Sequence, residues 1–184
     1  MPKEGTALYF IAIVPPSPIF DQALELKNHV KQQYRSKAAL NSPPHITLHM
    51  PFEWKEKKEE ELVSKLKLFS KSKETFELEL KNFGCFAPRV IFINVIENEK
   101  LRNFQRELHG FCKIELNIFN AQYKNMPFHP HLTLAFRDLK KPMFEKAWEE
   151  FEGKEFSAAF IADRFTLLKH NGEAWESFSE FVYK

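Results

Sequence analysis

Pro44-His45-Ile46-Thr47-Leu48 returns later in the chain as Pro130-His131-Leu132-Thr133-Leu134. In an extended strand successive side chains point to opposite faces. Each copy then sends His and Thr to one face and its aliphatic residues into a core. Two such strands facing each other would bring two imidazoles and two hydroxyls to one place. Phosphoester cleavage needs that set: a base for the nucleophile, an acid for the leaving oxygen and donors for the phosphoryl oxygens. Seven His and five Thr in 184 residues would give only about 0.2 His-x-Thr triplets by chance, so two in matching frames count as a motif pair. By the same alternation His49 shares the face of His45, about 13 Å further along a regular strand at ~3.3 Å per residue. It is expected at the rim or in the core, out of reach of the chemistry.

Composition narrows the classes. The chain is 43% hydrophobic with only 16 Gly and Pro residues and 20 Phe, which reads as a folded domain with a sizeable core. A net charge of +2 and a pI of about 8.4 permit an anionic ligand but lack the basic bias of a duplex-DNA binder. The Lys-rich runs at 55–58 and 65–73 alternate with Glu or apolar residues and read as solvated helix faces. Cys85 and Cys112 form no metal spacing, and two Cys without a secretion signal suggest reduced thiols in a cytoplasmic protein; a monomer is expected. The apolar run 7–14 is too short to span a membrane and reads as a buried strand.

The remaining pattern alternates strands and helices. Strands are expected at 7–14, 45–50, 76–80, 90–95, 131–136, 156–160, 164–170 and 174–182, with helices at 18–36, 56–70, 98–112 and from Pro142. Ser17-Pro18 looks like an N-cap followed by Pro at the first helical position. Residues 82–88 read as a turn, 113–128 as irregular with a short strand near Ile114–Phe119, and Asn171-Gly172 as a type I′ hairpin turn. The order strand–helix–motif strand–helix–strand occurs twice, so 1–184 reads as a single bilobal α+β domain of two pseudo-repeats, about 1–88 and 89–184. Two mainly antiparallel sheets should face a central cleft, with the helices outside.

Two His-x-Thr motifs some 80–90 residues apart in a duplicated α/β chain of this size resemble the two-histidine (2H) phosphoesterase superfamily. The likeness is strongest to its 2′-5′ RNA ligase / cyclic phosphodiesterase group. Gly84-Cys85-Phe86 and the following Arg89-Val90-Ile91-Phe92 resemble that group's Gly-x-Phe turn and next strand, and 164–182 its closing hairpin. The resemblance implies an enzyme with no metal or other cofactor, acting on RNA-type phosphodiesters at a nucleotide or RNA end. It implies His45 and His131 as the acid/base pair and Thr47 and Thr133 as phosphate donors. Many relatives carry Arg just past the second motif, where this chain has Phe136; Arg137 comes one residue later, which on a continuing strand flips it to the other face. His129, Phe83, Phe86, Arg89 and Arg137 are candidate substrate contacts, Phe83 and Phe86 by stacking on a base. His29, His109 and His170 have no assigned role. Two other classes stay open: a metal held by His129, His131 and His45, since His-x-His is a usable zinc spacing, and a non-catalytic nucleotide-binding module.

Overall fold

The structure, a computed structural model, describes residues 3–119 and 127–184. Among these residues eight strands and four α-helices follow in the order β1 Thr6–Ile13, α1 Ile19–Tyr34, β2 Ile46–Lys55, α2 Glu59–Ser70, β3 Phe76–Phe86, β4 Val90–Val95, α3 Glu99–Glu115, β5 His131–Ala135, α4 Lys141–Phe151, β6 Ser157–Ala162, β7 Arg164–His170 and β8 Trp175–Val182. Amphipathic spacing sets each helix on the sheet. α3 buries Leu101, Phe104, Leu108 and Cys112 on one stripe, and Asn98 caps it by accepting from the Leu101 N–H at 2.9 Å. α1 buries Ile19, Ala23 and Val30, and with them a lysine, Lys27.

The α+β class holds, but the two separate sheets do not. All eight strands join in one antiparallel sheet of order β6-β3-β4-β5-β2-β1-β7-β8. The two motif strands meet edge to edge at its centre, and a single register pair, Ile46 opposite Leu132, joins them. The halves of the sheet also trade strands between the halves of the sequence. β3 lies among β4, β5 and β6, while β7 and β8 return to flank β1.

Alternation breaks at the same place in both motif strands. Ile11 opposes His49 while its neighbour Ala12 opposes Thr47, so Leu48 is an extra residue in β2. Likewise Ile91 opposes Ala135 and Phe92 opposes Thr133, which makes Leu134 extra in β5. Such a bulge turns the following residue to the opposite face. Leu48 and His49 are therefore both buried, as are Leu134 and Ala135. This corrects the face expected of His49, while its place in the core is as expected. It leaves the face of His45 and packs its ring 4.7 Å from His109 on α3 and 5.5 Å from Phe52.

Other local expectations shift for equally local reasons. α1 starts at Ile19 after Pro18 with no side-chain cap; its first N–H groups are met instead by backbone, Phe20 donating to Pro16 and Gln22 to Pro18, both at 3.0 Å. β3 runs on through the expected turn to Phe86 because residues 83–86 pair with β4. Ile114 belongs to α3, and no strand covers 116–119; the rest of that expectation, at 120–126, lies outside the described residues. The last hairpin turns over four residues rather than two. Gly172 has a φ of 104° while Asn171 does not enter the positive region. The Asn171 side-chain oxygen accepts from Glu173 and Ala174 N–H, both at 2.9 Å, and closes the loop itself.

Candidate active site

Ile46, Leu48, Leu132 and Leu134 are buried against the helices, which leaves His45, Thr47, His131 and Thr133 half-exposed on the opposite face. The antiparallel register through Ile46 and Leu132 sets His45 beside Thr133 and His131 beside Thr47. The two histidines are then diagonal neighbours, about 7–8 Å apart at the backbone by ordinary strand spacing. The four motif residues thus come together on one patch, two from each half of the sheet.

The same hydrogen bond orients both imidazoles. His45 Nδ1 donates to the carbonyl of Pro43 at 2.7 Å, and His131 Nδ1 donates to the carbonyl of His129 at 2.7 Å. A carbonyl only accepts, so each neutral ring carries its proton on Nδ1 and keeps Nε2 as the basic nitrogen.

Burial lowers both rings, and a lysine adds to it at His45. Burial pushes His45 from its ordinary 6.5 down to about 3; the Lys27 cation adds to that, the Pro43 carbonyl works against it, and His131 contributes least. His131 is also lowered, chiefly by burial, with the His129 carbonyl opposing and the His129 charge adding. The Lys27 ammonium is 1% exposed and donates to the carbonyls of Ala39 at 2.9 Å and Ser42 at 3.0 Å. Burial brings its pKa down to about 7. Lys27 thus ties down the loop that delivers His45 and sets a cation behind it. The other side of that loop is held by Asp138, just past β5. Its carboxylate accepts from Ser36 Oγ at 2.6 Å and from the Lys37 and Ala38 N–H groups at 2.8 and 3.0 Å. These bonds hold the Asp138 carboxyl below its usual range, against burial, the largest influence, which raises it.

Aromatic rings flank each histidine. Phe92 lies 4.9 Å and Phe86 5.3 Å from His131, and Phe86 also meets His129 at 5.2 Å. The glycine of the Gly84-Cys85-Phe86 turn has a steric reason. A Cβ on Gly84 would stand 2.5 Å from the Phe92 ring and 2.6 Å from Asn94 Oδ1, so only glycine lets the ring that supports His131 lie there. Beside His45 the neighbour is Phe10 at 4.9 Å.

Of the candidate contacts, His129 and Phe86 stand at the site and Phe83 does not. Phe83 alternates to the other face of β3 and packs on Phe151 of α4 at 4.9 Å and Phe156 at 5.9 Å. Arg89 is exposed in the β3–β4 turn. Arg137 is exposed past the end of β5, with a φ of 61°, its guanidinium 4.5 Å over the Phe136 ring. The strand has ended before Arg137, so alternation does not decide where it points. Among the described residues no three His, Cys, Asp or Glu side chains group as a metal-holding set, and no helix is long and apolar enough to cross a membrane. Lys27, Asp138, Phe92 and Gly84 were not singled out from the sequence for these positioning roles. Lys27 left a signal as a charged residue in the apolar stripe of α1, and Gly84 and Phe92 lie in the stretches that carry the family resemblance.

One antiparallel sheet backed by helices, with paired His-x-Thr strands at its centre, defines a two-histidine phosphoesterase architecture. Residues 15–174 match the family model of the 2′-5′ RNA ligase superfamily, and the chain belongs to that family. A protein of Oceanobacillus iheyensis named “Putative phosphoesterase” is 30% identical over 177 residues, covering 95% of this chain and 96% of its own. Among solved structures, Escherichia coli LigT complexed with 3′-AMP has a TM-score of 0.70 at 21% identity, over 97% of this chain and 99% of that one. TT0787 of Thermus thermophilus has a TM-score of 0.64 at 18% identity, over 95% and 97%. At these identities the solved structures establish a shared fold.

The Lys27 arrangement has a measurable consequence. Lys27→Met keeps the length of the side chain and removes its charge. The pKa of His45, read from its ring NMR signals, is expected to rise, because the protonated ring no longer faces a cation. Amide exchange in residues 38–44 is expected to quicken as the Ala39 and Ser42 carbonyls lose their donor. An unchanged His45 titration would show that the Lys27 charge does not act on this ring.

Proposed function

We propose that the protein is a metal-independent phosphoesterase acting on RNA-type phosphodiesters, hydrolysing 2′,3′-cyclic phosphates or cleaving or joining 2′-5′ linkages. The observation that carries this reading is the convergence of both His-x-Thr motifs on one face, each imidazole fixed through Nδ1 with Nε2 left basic. LigT, with the same fold, is seen with 3′-AMP, which supports a nucleotide as the substrate class.

In this mechanism the phosphoryl group sits between the two strands. His45, held neutral, takes a proton from water through Nε2 as the water oxygen bonds to phosphorus. His131, protonated, gives its Nε2 proton to the departing ribose oxygen as the P–O bond breaks. Thr47 and Thr133 donate to the non-bridging oxygens where negative charge builds. The stronger depression of His45 supports giving it the base role. His131 needs a proton to act, and a phosphate anion beside it favours the charged ring. Phe86, 43% exposed beside His131 and His129, offers a stacking surface for the base. Arg89 and Arg137 would serve outer phosphates of a longer substrate from the rim.

Single substitutions assayed on a 2′,3′-cyclic nucleotide test the roles. His45→Ala and His131→Ala should each lower kcat by about 10²–10⁴-fold. Thr47→Val and Thr133→Val keep the β-branched shape and lose one hydrogen bond to a charged oxygen, a loss of about 10- to 150-fold. His49→Ala should leave the rate near that of the parent while lowering thermal stability, because its ring is packed between β2 and α3. A folded His131→Ala protein with undiminished rate would end the two-histidine mechanism.

The pH profile gives a second check. Activity needs His45 neutral and His131 charged. In the free enzyme the acid limb of kcat/KM then falls near pH 3, and the alkaline limb below the ordinary 6.5 of histidine. The kcat profile should extend to higher pH, because bound phosphate stabilises the charged His131. A kcat/KM optimum above about pH 7.5, a full unit past the unperturbed histidine value, would contradict this assignment.

A further inference from the structure

Behind His45 stands a set of rings that the proposed chemistry does not use. Phe10 touches His45 at 4.9 Å, Trp175 meets Phe10 at 4.7 Å, and His170 meets Trp175 at 4.9 Å. They lie on the face of the sheet that carries the motif side chains. Phe10 opposes Leu168 and Ala12 opposes Thr166 across β1 and β7, and Trp175 opposes His170 across β7 and β8. Phe10, Ala12 and Leu168 form a small apolar cluster of their own, separate from the main core, with Trp175 packed against it. Phe10 is 4% exposed, whereas Trp175 stays half-exposed at the start of β8. Phe10 and His170 meet Trp175 at 79° and 78°, so neither lies flat on the indole.

The other half of the sheet presents the matching arrangement. Phe86 is exposed beside His131. His131 thus has an accessible ring directly beside it, and His45 has one a ring further out, beyond Phe10, with the phosphate position between. A phosphodiester has an ester on each side of phosphorus. With a nucleoside on each ester, one base reaches the Phe86 side and the other the Trp175 side. Two ring-to-ring steps of 4.7 and 4.9 Å separate Trp175 from His45, a gap of the order that a ribose bridges between base and phosphate. Phe10 has too little exposed surface to take a base itself; it fixes the spacing.

Resting on the phosphoesterase reading, we infer that Trp175 is a second nucleobase platform and that the site is built for a phosphodiester flanked by two nucleosides. A nucleoside cyclic phosphate occupies only the Phe86 side. Stacking on an aromatic side chain is tolerant of base identity, so this subsite selects for a second nucleoside more than for a sequence.

The test compares adenylyl-(2′→5′)-adenosine with adenosine 2′,3′-cyclic phosphate on the full chain, with binding of the dinucleotide and of 3′-AMP measured alongside. Trp175→Ala should lower the ratio of kcat/KM for the dinucleotide to that for the cyclic nucleotide by roughly 5- to 150-fold, mostly through KM. Trp175→Phe should restore most of the ratio, and Phe86→Ala should weaken both substrates. An unchanged ratio in Trp175→Ala overturns the inference, including the case where both substrates lose equally because the ring only supports Phe10. So does a parent protein that hydrolyses the cyclic nucleotide but neither binds nor cleaves the dinucleotide. If the parent turns over neither substrate yet Trp175→Ala selectively weakens dinucleotide binding, the second platform stands and the catalytic reading falls.

Discussion

The site depends on where the backbone of β2 touches the backbone of β5. At Ile46 and Leu132 two strand edges meet, with aliphatic residues of both motifs driven to the helix side by burial. Fully burying a Leu or Ile side chain is worth about 1.5–3 kcal/mol, and four of them, Ile46, Leu48, Leu132 and Leu134, share that side. Period-two geometry then leaves His45, Thr47, His131 and Thr133 no face but the opposite one. The bulges at Leu48 and Leu134 end the alternation once each motif is complete. His49 and Ala135 go to the core, and the patch stays limited to two histidines and two threonines.

Symmetry brings the motif residues together, and its departures make the two histidines unequal. Each ring donates to a carbonyl two residues upstream. Among the described residues, only His45 has a buried lysine behind its loop, on carbonyls of Ala39 and Ser42. A single imidazole type has to supply both acid and base, and environment is what can separate the roles. The loop before His45 is fastened from both halves of the chain, by Lys27 of α1 and by Asp138 after β5. Closing the second motif strand therefore also fixes the approach to the first.

Much of this was legible where one residue type reports one constraint. Residues 164–170 read as a strand and are β7 with its observed limits, and the 3–4 spacing of Leu101, Phe104 and Leu108 gave α3. The motif pair named its face because period two is strict over three residues. What could not be read were events of register. A bulge carries no obligatory residue type here, so His49 looked to share the face of His45 until pairing with β1 was known. The joining of all strands into one sheet rests on one backbone pair, to which no side chain is a guide. Phe83 and Phe86 sit three residues apart on β3 and so fall on opposite faces; choosing between them needed the strand to be continued past the expected turn. Trp175 is brought to the Phe10 side by pairing across the last hairpin, a long-range relation absent from local pattern.

The central claim is that one phosphoryl group bridges the two motifs. A crystal structure of the protein with a 3′-phosphorylated nucleoside tests it most directly. The expected result is a phosphate within about 3.2 Å of Nε2 on both His45 and His131 and of both threonine hydroxyls, with the base over Phe86. A phosphate bound away from either histidine, or either ring turned so that Nδ1 rather than Nε2 faces it, would contradict the account.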